Sequence, residues 1–116
     1  MLRRSDEMKL ENIEKLRGGD GTVTIKHLFG KEELLGKTRL VAETILPVGT
    51  SIGFHHHENE EEIYYILSGK GEVIDDDSIQ NVSAGFAMLT GNGKGHSIRN
   101  TGEEPLVFLS LILLYS

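Results

Sequence analysis

Residues 49–69 read GTSIGFHHHENEEEIYYILSG, three adjacent histidines followed by an acidic run and an apolar segment. Side chains two apart on a strand point the same way, so His55 and His57 share one face, about 7 Å apart, while His56 points to the other. A histidine triplet on a strand therefore offers the pair His55 and His57, or His56 alone. Glu58-Asn59-Glu60 is a polar connection, and 62–67 is a second strand rich in Ile and Tyr. Glu62 shares the parity of Tyr64 and Ile66, whereas Glu61 has the opposite parity. A hairpin between 51–57 and 62–67 would return Glu62 beside the histidine pair, with Tyr64 and Ile66 lining the same interior.

The turn signals Pro47-Val48-Gly49, Ser68-Gly69-Lys70-Gly71 and Ser83-Ala84-Gly85 bound further short strands on either side. Strands are expected at 22–29, 39–46, 72–74, 79–82, 86–90, 96–100 and 106–114, making about nine in all. The segment 22–29 alternates, with Val23, Ile25, His27 and Phe29 on one face. Asp75-Asp76-Asp77-Ser78 reads as a hairpin tip; it lacks the alternating ligand spacing of a calcium loop. Many short strands at regular spacing favour an all-β barrel or jelly roll. Strands 63–67 and 106–114 are apolar on both faces. A lone sandwich buries only one, so a homodimer is expected. Residues 1–21 read as an N-terminal arm, with a short helix or an extended segment within 5–17, and 22–116 as the barrel domain.

The chain has 116 residues, 38% of them hydrophobic and 26% charged, which suits one globular domain rather than a disordered chain. Its net charge of −6 argues against nucleic acid and anionic membranes as partners. It contains no cysteine, so disulfides, thiolate metal sites and cysteine nucleophiles are excluded. The basic residues near Met1 have no apolar stretch behind them, unlike a signal peptide, and the cytoplasm is the default location. The apolar run 106–115 is half the length a membrane-spanning helix needs.

His96 opens a strand after the glycine-rich stretch 91–95, with Ile98 and Asn100 on its face. With His55, His57 and Glu62 it would supply three imidazoles and one carboxylate. That donor set suits one divalent transition metal (Mn, Fe, Ni, Co or Zn) and is wrong for Ca or Mg. Candidate pocket residues are Tyr64, Ile66, Ile98, Phe54, Met88 and His27. Phe54, Met88 and Ile98, together with Phe86 and Phe108, read first as core. His27 reads as a core histidine satisfied by a neighbour, ahead of a pocket role. Glu60 and Glu61 read as solvated charges. Arg39 and Glu43 have no fixed orientation, because the Pro47 turn breaks their parity with the metal face. No basic residue is evident on the inward parity, and the pocket should take a small, partly apolar ligand.

Gly49, His55-x-His57, Glu62 and Gly69, at intervals of five, four and six residues, resemble the first motif of the cupin superfamily. Gly85, Gly91-x-Gly93, His96 and Asn100 resemble the second, except that the family usually carries proline where this chain has Gly91. The resemblance covers residues 40–114 and the small single-domain members in particular. It implies a six-stranded cupin β-barrel core (double-stranded β-helix) with the histidines and glutamate facing inward, and homodimers in many members. It also implies either an enzyme of dioxygenase, isomerase or lyase type, or a non-catalytic protein holding a sugar or carboxylate on the metal.

Overall fold

Apolar alternation between turn residues becomes strand throughout the computed structural model, which describes residues 1–116. Ten strands form: β1 (Lys9–Glu14), β2 (Thr22–His27), β3 (Thr38–Leu46), β4 (Ser51–His56), β5 (Glu60–Ser68), β6 (Lys70–Asp75), β7 (Ser78–Ser83), β8 (Ala87–Gly91), β9 (Gly95–Asn100) and β10 (Leu106–Leu114). The helical segments are single 3₁₀ turns at Ser5–Glu7, Leu16–Gly18 and Lys31–Glu33. The all-β architecture read from the sequence is the one observed.

The strands form two antiparallel sheets. One has six strands in the order β1-β2-β3-β10-β5-β8, and the other has four in the order β4-β9-β6-β7. Of the two readings for residues 9–14, the extended one is observed: they pair along β2 from Lys9 opposite His27 to Glu14 opposite Thr22. The open edge of β2 offers unpaired N–H and C=O groups that this segment satisfies.

The core lies between the sheets. Leu46, Tyr64, Ile66, Leu106 and Phe108 come from the six-stranded sheet and pack against Ile52, Val73 and Ile98 of the other. On β10 the alternation is clean: Leu106, Phe108, Ser110 and Ile112 are buried, and the residues between them half-buried. Phe54 and Phe86, expected in the core, are outside it, with relative exposures of 44% and 50%. For Phe54 the reason is a bulge: the β4–β9 register shifts between Ile52 and His55. Ile52 and His55, at opposite parity, consequently both face inward and Phe54 is turned out. Phe86 follows the turn at Gly85 and precedes β8.

Two residues of the recurring motifs have structural work to do. Gly69 has φ +91°, and a Cβ there would sit 2.6 Å from the Pro105 carbonyl oxygen, so only glycine admits this turn. The buried Asn100 amide donates to the Leu46 and Glu104 carbonyls at 2.9 and 2.8 Å and accepts from the Gly102 N–H at 2.8 Å, joining the end of β9 to the end of β3. At Gly91, a Cβ would meet the Tyr115 hydroxyl at 2.5 Å and the Glu61 Cβ at 2.7 Å. Tyr115 thus occupies the space that a proline ring would need.

Candidate metal centre

The cluster is assembled from both sheets. His55 on β4 lies directly across from His96 on β9. His57 stands just past the end of β4, its backbone tied to the glycine loop by its N–H to Lys94 (3.0 Å) and its carbonyl to Gly93 (2.8 Å). Glu62 arrives on β5, opposite Ile112 of β10 and Thr90 of β8. The hairpin expected between 51–57 and 62–67 does not form, since β4 and β5 belong to different sheets. Glu62 faces the histidines across the interior instead of returning alongside them. His56 points out of the barrel and packs edge-on against Phe54, with ring centroids 5.3 Å apart.

His96 is the hub. Its Nε2 lies 3.2 Å from His55 Nε2, 3.1 Å from His57 Nε2 and 3.0 Å from Glu62 Oε1, which is itself 2.9 Å from His57 Nε2. All the donor atoms fall within 4.8 Å of one another, and His57, Glu62 and His96 are buried. Outer nitrogens fix the tautomers of two of the rings. His55 Nδ1 is 2.7 Å from the Gly53 carbonyl, which can only accept, so that nitrogen carries the hydrogen and its Nε2 is bare. His57 Nδ1 likewise donates to Glu60 Oε2 at 2.5 Å. Three imidazole Nε2 atoms and a carboxylate oxygen therefore converge on one point inside the protein, while the buried His96 Nδ1 has no hydrogen-bond partner. A cation satisfies all of them at once, and the borderline N/O donor set fits a divalent transition metal.

The surroundings tune this set. Burial pushes the His55 imidazole down to about 4, with the neighbouring His96 and His57 adding to the effect, so its nitrogen is available as a ligand. Burial also acts to lower His57, but Glu62 and Glu60 outweigh it and hold that ring above its ordinary value. Burial would raise Glu62; hydrogen bonds from His57 and His96 prevail and bring its carboxyl to about 2. Tyr64 is stacked on the His96 ring, with centroids 4.8 Å apart, and burial beside the Glu62 carboxylate raises its phenol well above the ordinary range.

The cluster opens onto a cavity of about 350 Å³. Tyr64 and His27 line it, whereas Ile66 and Ile98 sit in the core, Met88 packs against that core, and Phe54 faces away. His27 both lines the wall and is hydrogen-bonded through Nε2 to Glu11 of β1 at 2.9 Å. Glu60 is not a solvated charge. Its carboxylate takes the His57 hydrogen bond and both nitrogens of Arg39 (Nε and Nη2, each at 3.0 Å).

The cavity wall is also more basic than the strand parity implied, because Arg17, Lys31 and Arg39 all line it. Arg39 is the extra residue at a register shift between β3 and β10, where Ile112 faces Leu40 and Leu113 faces Thr38. Such a bulge re-aims a side chain in a way that alternation does not foresee. Arg17 lies in the turn Leu16–Gly18, which the glycines of residues 17–21 mark in the sequence only as a break. Glu43 points elsewhere, 3.9 Å from Lys26.

A family model described as a cupin domain matches residues 42–112. A Thermotoga maritima protein named an oxalate-binding protein is 46% identical over 114 residues, covering 98% of this chain and 94% of that one. An uncharacterised protein of Methanocaldococcus jannaschii is 36% identical over 90 residues, covering 78% of this chain and 71% of that one. Among solved structures, a Thermotoga maritima protein described as a predicted oxalate decarboxylase superposes with a TM-score of 0.93 at 46% identity, covering 98% of this chain and 99% of that one. The polyketide cyclase RemF of Streptomyces resistomycificus shares the fold with a TM-score of 0.78 at 19% identity, over all of this chain and 81% of its own. With motif spacing, sheet topology and family match in agreement, this chain belongs to the cupin family.

Proposed function

We propose that the protein binds one divalent transition-metal ion per chain (Mn, Fe, Ni, Co or Zn) through His55, His57, Glu62 and His96, and that it holds a small carboxylate there, with oxalate the first candidate. The observation that carries this reading is the convergence of three imidazole nitrogens and a carboxylate oxygen on one buried point at the wall of a cavity. The 46% identical relative named an oxalate-binding protein supports the ligand class. When bound, the ion would supply Lewis-acid attraction for carboxylate oxygens. The chain's own residues do the rest. Ile25, Leu40, Ile52 and Ile112 make part of the wall apolar and restrict water, and the basic residues beside them favour an anion.

Isothermal titration with oxalate tests this. Binding to metal-loaded protein should be at least about tenfold tighter than to chelator-treated protein, because a coordinated ion contributes more than one ordinary charge-assisted contact. Equal affinity with and without metal contradicts the reading. Turnover of the bound carboxylate is a second reading, favoured by the Glu11–His27 pair. It is the acid–base pair on the cavity wall outside the ligand cluster. Disappearance of oxalate on prolonged incubation would establish it.

We also propose that the chain forms homodimers through the outer face of the six-stranded sheet. Tyr65, Leu67 and Leu89 are exposed there beside half-buried Leu109 and Leu111, an apolar patch larger than scattered surface residues make. Light scattering should return twice the 12.8 kDa chain mass, and a monomer mass would contradict the proposal.

A further inference from the structure

We propose that Arg17 selects the ligand of this cavity: its guanidinium takes the outer oxygens of a small dicarboxylate, and so favours a dianion over a monoanion. The proposal rests on the carboxylate-binding reading above.

Arg17 lines the same cavity as His55, His57 and Tyr64. The other arginine of the wall, Arg39, is already held by both Glu60 oxygens. None of the ion pairs of the chain involves Arg17. It is therefore the guanidinium free to receive an anion. Lys31 is unpaired too, but it is shared with the outer polar cleft that Arg3, Glu7 and Lys9 line, whereas Arg17 is not.

The backbone at Arg17 points the same way. Its φ of 55° and ψ of 29° lie in the left-handed region, where glycine sits freely and an arginine is strained. The turn is clamped on β4. A Cβ at Gly53 would lie 2.0 Å from the Arg17 carbonyl oxygen, and one at Gly19 would lie 2.2 Å from that of Ser51. Local stability would favour glycine at position 17. Arg17 is exposed at the cavity rim with no partner in the protein, and its side chain is free to turn to what the cavity binds. Arg17 also precedes the matched family segment 42–112, so the discrimination it supplies would belong to this chain rather than to the barrel frame.

The test is isothermal titration of the metal-loaded full-length chain with oxalate and with acetate. Arg17→Gly should weaken oxalate binding by about 10- to 100-fold, the worth of a charge-assisted pair, and acetate binding by less than about threefold. Metal stoichiometry should be unchanged. The thermal midpoint should stay or rise, because glycine relieves the strained backbone; a merely structural role predicts a fall. Arg17→Lys should retain part of the oxalate affinity, as a point charge without the fork geometry. The proposal is overturned if Arg17→Gly binds oxalate like the wild type, if oxalate and acetate weaken equally, or if Lys31→Gln rather than Arg17→Gly removes the preference. A wild-type chain that binds neither anion fails earlier, and there the carboxylate reading itself is lost.

Discussion

His96→Ala and Glu62→Gln are expected to abolish stoichiometric metal binding, and His56→Ala to leave it intact. His96 Nε2 lies within 3.2 Å of the other two imidazole nitrogens and 3.0 Å from Glu62, so its removal takes out the common vertex of the cluster. Glutamine at 62 keeps the volume but replaces a carboxylate that His57 and His96 hold ionised with a neutral amide. Residues that merely orient ligands are worth about 10- to 100-fold in metal affinity, and loss of a ligand should cost more than about 100-fold. His56 is exposed on the outer face, and the same strand geometry that pairs His55 with His57 keeps it away from the site. Metal content after equilibrium dialysis checks this. Full occupancy in the His96 variant would sink the ligand assignment.

Gly53→Ala is expected to destabilise the fold by about 3 kcal/mol and to open the cavity wall. The added Cβ would meet the Arg17 carbonyl oxygen at 2.0 Å and the Gly19 nitrogen at 3.0 Å, both backbone atoms with no rotamer to yield. The strand must then release the Leu16–Gly18 turn. That turn carries Leu16 and Arg17 into the cavity, while the Gly53 carbonyl fixes the His55 ring. A fall of about 10 °C in thermal midpoint corresponds to that cost in a chain of this size. Gly36→Ala is the control, since nothing lies within 4 Å of its added Cβ. Equal melting of the Gly53 and Gly36 variants would show that the turn is not clamped in this way.

Much of the architecture was legible because two regularities are rigid. Alternation on a strand placed His55 and His57 together and His56 outside, and the glycine intervals located the turns around them. The same regularities failed where the backbone departs from them. The bulge after Ile52 turned Phe54 out, and the one at Arg39 brought a basic residue onto the cavity wall. Glu60 looked like one acid among several, and its partners His57 and Arg39 are set by tertiary approach, which no local pattern encodes. Residues 9–14 carry too weak an apolar period to announce a strand; the free edge of β2 makes them one. Parity and the interval to Gly69 single out Glu62 over Glu61, and it reaches the histidines by a route different from the hairpin expected.

Metal-edge X-ray absorption on protein loaded with one equivalent of Zn(II) or Mn(II) reads the ligand set itself. The arrangement of His55, His57, Glu62 and His96 predicts a first shell containing three imidazole nitrogens, at about 2.0–2.1 Å for zinc, with the outer-ring scattering of three histidines. A shell of oxygens alone, or one with fewer than three imidazoles that His96→Ala leaves unchanged, would contradict it.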